Sequence, residues 1–171
     1  GSGDKIVAEW DLLNPGEGIM LARIPEIIYS LYTDLENDRL LVGQAAGGIH
    51  VISLSERREV RLLQYHAASV FHIGVSKKHG LLFSLSGDGK LGVVDLNNLT
   101  LNAMLTLGEG KLRTLALNED ESLAAIGSAD GTITILSLPD LVPVKKWQAH
   151  QAGFSVNALA FSPGSSSGSL L

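Results

Sequence analysis

With 171 residues, a formal net charge of −5 and no cysteine, the chain excludes several functions at the outset. Nucleic-acid modules need clustered Lys and Arg, so this acidic balance argues against a phosphate-binding surface, and the missing thiols remove disulfides and thiolate metal sites. No apolar run approaches the roughly 20 residues of a membrane helix, and Gly1–Gly3 lacks the basic and apolar regions of a signal peptide, so a cytoplasmic chain without membrane contact is expected.

Residues 5–12 (KIVAEWDL) alternate well enough for a strand, and a second apolar run at 19–24 follows the Asn-Pro-Gly turn at 14–16. From residue 27 the pattern becomes four strands: 27–32, then, after a polar turn at Glu36–Asp38, 39–44, 49–54 and 59–65. Connections this short suit an up-and-down antiparallel sheet. The same plan covers about 27–65 and repeats over about 70–107 and 111–148. SVNALAFSP (155–163) then reads as one further strand, ahead of a Gly/Ser stretch at 164–169 and Leu170-Leu171.

These segments recur at a fixed interval. Val7, Ile49, Leu91 and Ile133 are evenly spaced, and the same spacing separates Trp10, Ile52, Val94 and Leu136, and Leu12, Leu54, Leu96 and Leu138. The turns recur with them as GSGDK (1–5), GQAAG (43–47), LSGDG (85–89) and GSADG (127–131), so Asp4, Ala46, Asp88 and Asp130 share a column. Asp-Gly in that place serves a tight reversal that needs positive φ. A self-similar period of this length marks a propeller or a solenoid, and strand-sized apolar runs select the propeller.

The expected fold class is therefore all-β: a β-propeller of four-stranded antiparallel blades, about 42 residues per repeat, as one domain over 1–171. Residues 5–24 supply third and fourth strands and 155–163 a first strand, so one blade is expected to be shared between the two ends. Sharing a blade removes sheet edges that would otherwise template aggregation. Ser169-Leu170-Leu171 aligns with Ser122-Leu123-Ala124, and joining Leu171 to Gly1 recreates the register with about two residues missing. Three arrangements satisfy this pattern: one chain closing with four blades, two chains joined head to tail as an eight-bladed homodimer, or an arc of a longer propeller.

The whole chain resembles the WD-repeat β-propeller family in its unit length, its small-residue and Asp turn, its hydrophobic-Asp pair ending the third strand, and a His before the first strand. Trp-Asp itself occurs only at Trp10-Asp11; the equivalents are Ile52-Ser53, Val94-Asp95 and Leu136-Ser137. The family's His column holds His66 and His150, two repeats apart, and Ile24 and Gly108 in the other repeats. The resemblance implies a buried hydrogen-bond network of His, second-strand Ser, turn Asp and third-strand Trp. His66, Ser84 or Ser86, and Asp88 would form it in one repeat, and Asp130 occupies the turn position of the next. The full set is His150 with Ser2, Asp4 and Trp10, unless Gly1–Gly3 is vector-derived. The resemblance also implies a non-enzymatic scaffold whose face binds a protein or peptide. By position, Ser69, Lys111, Arg113, Phe154 and Ser155 are the candidate contacts.

Other chemistry finds less support. His66, Ser84 and Asp88 would also suit nucleophilic catalysis, but that needs an open pocket with an oxyanion site. His50, His66, His72 and His79 have no close ligand pair, so no metal site is expected. The segment 118–122 (NEDES) lacks the oxygen spacing of a calcium loop and reads as a solvated turn, like 76–80 (SKKHG). The paired glycines contain no GxGxxG, so no phosphate cradle and no cofactor are expected. Tyr29, Tyr32, Phe71, Phe83 and Phe161 suit core packing. The alternative to a scaffold is a hydrolase-like enzyme working in a propeller channel, for which the first strands offer only Glu26 and His72, with Arg113 as the nearby cation.

Overall fold

The computed structural model describes residues 3–16, 18–151 and 153–162. The chain divides between Val70 and Phe71 into two compact units. The first holds the hairpin β1 (Ile6–Glu9) and β2 (Ile19–Arg23), then the antiparallel sheet β3 (Ile28–Asp34), β4 (Arg39–Gln44), β5 (Gly48–Ser53) and β6 (Arg58–Gln64), hydrogen-bonded in that order. The next sheet is β7 (Val70–Ser76), β8 (Leu81–Ser86), β9 (Lys90–Asp95) and β10 (Leu101–Thr106). The last is β11 (Leu112–Leu117), β12 (Leu123–Ser128), β13 (Thr132–Ser137) and β14 (Val142–Gln148). Each four-stranded sheet is one propeller blade, as the repeat pattern requires.

Burial explains why the apolar runs are continuous rather than alternating. Every residue of β4 and β5 is buried, whereas in β6 only Leu63 is. A strand covered on both faces needs apolar or small side chains at successive positions; an outermost strand does not. In the second unit Phe83, Leu85, Leu91 and Val93 of one sheet close a core with Leu112, Leu115, Ala124, Ile126, Leu136 and Leu138 of the next. Ala125, Ile133 and Ile135 alternate onto the opposite face and pack there with Val156.

The turns recur as the columns require. Gly47, Gly89 and Gly131, each one repeat from the next, have φ of +86°, +75° and +87°. A side chain there would also collide with a carbonyl of the connection that follows the fourth strand: His66, Gly108 and His150 respectively. A second turn puts Arg57, Leu99 and Leu141 at φ of +52°, +56° and +60°, again one repeat apart but without glycine. Another feature keeps a spacing of two repeats. Gly43 faces Ser30 and Gly127 faces Thr114, each with no room for a methyl group, while Leu85 takes the intervening position.

Two strands are shorter than the sequence pattern implies. β1 stops at Glu9, where its equivalents continue as far as Ser53, Asp95 and Ser137, so Trp10 lies outside it. Residues 154–162 lie along the last sheet, with a single bridge at Phe161 instead of a strand. The physical reason is the same in both. β5, β9 and β13 pair on both edges, whereas β1 pairs with β2 alone among the described residues, and the ladder that would hold a longer run extended is half made.

Candidate interaction surface

The turn aspartates are builders of the turns that carry them. Asp88 Oδ1 accepts the Lys90 N–H at 3.1 Å, and Ser86 Oγ accepts the Asp88 N–H at 3.3 Å. Asp130 Oδ1 accepts the Thr132 N–H at 2.9 Å and a short bond from Ser128 Oγ. The Ser128 hydroxyl, ahead of the Thr132 bonds, holds the Asp130 carboxyl below its ordinary range. Asp4 repeats the motif with the Ile6 N–H at 3.1 Å. Ser86 and Ser128 stand in one column, and Gln44 occupies it in the first blade, where Ala46 replaces the Asp. Ser84 is buried two residues earlier on β8, opposite Gly92.

The expected network residues differ in exposure. His66 is buried. His150 and Asp4 are exposed, Trp10 is 58% exposed with its ring over Gly18, and Ser2 lies outside the described residues. Two glutamines not singled out from the sequence do the bracing beside the histidines. Gln64 Nε2 donates to the Ala46 and His66 carbonyls at 3.0 and 3.1 Å, and Gln148 Nε2 donates to those of Asp130 and His150 at 2.6 and 2.7 Å. Both stand two residues before a His, so the signal was a Gln-x-His pair recurring every second repeat.

The nominated contacts gather, in the second unit, around the 129–131 turn. The Lys111 carbonyl accepts the Ala129 N–H at 2.7 Å, Ser155 Oγ donates to the Ala129 carbonyl at 3.2 Å, and the Phe154 carbonyl lies against Gly131. The Lys111 side chain is exposed and Phe154 is 66% exposed. Arg113, two residues along β11, stacks its guanidinium 4.4 Å from the centre of the Phe71 ring, a cation–π contact. In the first unit Ser69 makes the bond that Ser155 makes, to the Ala45 carbonyl at 2.9 Å. The serine hydroxyls thus hold the loops, whereas the side chains of Lys111 and Phe154 are exposed.

The remaining histidines fall in separate settings. His50 Nδ1 lies 2.9 Å from Glu59, and burial depresses the basicity of His72. His79 Nε2 meets the Glu121 carbonyl at 2.9 Å and must carry the proton, since a carbonyl only accepts. Among the described residues no three His, Asp or Glu side chains gather as a metal site. Residues 118–122 tie one blade to another: Glu121 Oε2 accepts from Ser76 Oγ at 2.5 Å and the Lys78 N–H at 3.0 Å, and Lys78 Nζ donates to the Asp120 carbonyl at 2.7 Å.

No family model and no curated protein sequence matches the chain. Solved structures do. One, named "Mitotic Checkpoint Complex", superposes with a TM-score of 0.80 over 93% of this chain at 22% identity. Another, the computationally designed Ika8 protein, does so with a TM-score of 0.75 over 95% at 21% identity. This chain spans about half the length of each, 48% in both cases. At such identities the likeness establishes the fold. No helix among the described residues is long and apolar enough to cross a membrane.

Proposed function

We propose that the chain is a non-enzymatic scaffold of WD-repeat type that holds a protein or peptide on the loop end of its blades, with no part for nucleic acid or membrane. The observation that carries this is the 129–131 corner, where backbone bonds fix Lys111 and Phe154 while their side chains stay in solvent. A surface ordered in advance binds without paying that entropy at the moment of association. Aromatic residues backed by rigid main chain are favoured anchors in such interfaces. The checkpoint-complex neighbour comes from an assembly by its own name, which agrees with a scaffold. The network of His150 with Ser2, Asp4 and Trp10 belongs to the same proposal, as the set that would form when the shared blade is complete.

The test compares partners captured from extract by the wild type, Phe154→Ala and Lys111→Ala, beside a hydrolase-substrate screen. A specific partner retained by the wild type and lost from both folded variants is the expected result. Capture that ignores both substitutions, or turnover abolished by a folded His72→Ala variant, would overturn the reading.

A further inference from the structure

The first unit contains a groove of about 580 Å³ along the open edge of β1, walled by Val7, Leu21, Leu31, Leu35, Leu40 and Leu54, with Glu9, Asp38 and Arg57 at its rim. The repeat register says what is missing from it. Shifted by two repeats, Val7, Leu21, Leu31, Leu40 and Leu54 become Leu91, Leu105, Leu115, Ala124 and Leu138, and those five belong to one closed core in the second unit. That core is completed by Leu81, Phe83 and Leu85 of β8, the strand for which the groove has no counterpart among the described residues. The consequence is visible in one pair: Leu115 is 8% exposed and Leu31 is 41% exposed.

The chain itself contains a segment written to this template. Val156 sits against Gly127 as Val70 sits against Gly43, and Ser155 bonds Ala129 as Ser69 bonds Ala45, so 155–161 stands in the place of a first strand. Ser169-Leu170-Leu171 then aligns with Gly80-Leu81-Leu82 if the turn before it is three residues longer, which matches Leu170 to Leu81. We propose that the groove is filled by the end of the 155–171 segment of a second copy, led by Leu170, while 155–161 keeps its place as a first strand on its own last sheet, each copy giving its segment to the other in a head-to-tail dimer. A heterologous contact of this kind closes when the rotation allows it. The inference stands apart from the loop-end binding surface, so either can fail alone.

The experiment is light scattering coupled to size exclusion over a concentration series, on the full chain and on Leu31→Asp and Leu170→Asp. Leu31 is 41% exposed on the groove wall while its counterpart Leu115 is 8% exposed in the filled core, so Leu31 is the residue an incoming strand would cover, and circular dichroism verifies that the variant keeps its fold. The expected result is twice the mass of one chain for the wild type, with the dissociation concentration raised at least about tenfold in both variants, since desolvating a Leu side chain is lost at each junction. A wild-type monomer at every concentration overturns the proposal in favour of a chain that closes on itself or stays an open arc. A dimer indifferent to both substitutions, or an open series of larger assemblies, overturns it as well.

Discussion

Gly89 shows how a single residue is fixed twice, once by its φ of +75° and once by the Gly108 carbonyl that occupies the space of a side chain. Gly153 has a comparable φ of +95° but open space around it. Gly89→Ala should therefore cost about 2 kcal/mol or more and Gly153→Ala only about 1 kcal/mol, as urea midpoints would show. Conversely Arg57, exposed at φ +52°, should accept Gly with a gain of a few tenths to about 1 kcal/mol. His72 makes a prediction in pH. Burial lowers its pKa from the ordinary 6.5, so the unfolded chain takes up a proton before the folded one does. Stability is then full above pH 6.5 and declines as the pH falls through it. His72→Gln should flatten that part of the profile in urea titrations between pH 7.5 and 5.5.

At the scale of elements, what could be read from the sequence followed from local chemistry. The Asp-Gly turns announced themselves because Asx bonding and positive φ act within a few neighbouring positions. β4, β5, β8, β9, β12 and β13 stood out as apolar runs because both of their faces are covered. Whether a strand continues is a different matter, since it depends on a neighbour that sequence does not display. Trp10, the one literal Trp-Asp, was placed on a strand by its column, yet β1 ends at Glu9 for want of a second partner. Glu121 was unreadable for another reason: its bond to Ser76 spans 45 residues and joins two turns of unrelated composition. Because Ser76 is fully buried, Glu121→Ala should cost about 1–2 kcal/mol, again by urea unfolding.

For the chain as a whole, the fold was legible because four repeats restate it, whereas the contacting surface was nominated by position alone. The structure adds that the hydroxyls of Ser69 and Ser155 hold loops, while the side chains of Lys111 and Phe154 are exposed. If a second copy fills the groove beside β1, the melting temperature of the wild type should rise with protein concentration and that of Leu31→Asp should not, by mass action. The alternation of Gly43, Leu85 and Gly127 carries one more consequence. Together with Gln64 and Gln148 and with His66 and His150, it means that adjacent blades are not interchangeable, while blades two apart are written to one pattern. The repeating unit at these positions is thus a couplet of blades rather than a single one. A chimera that moves a blade by one repeat would set Leu85 against Val70 or Val156, which in their own places lie on a bare glycine. One that moves it by two would transplant without a seam.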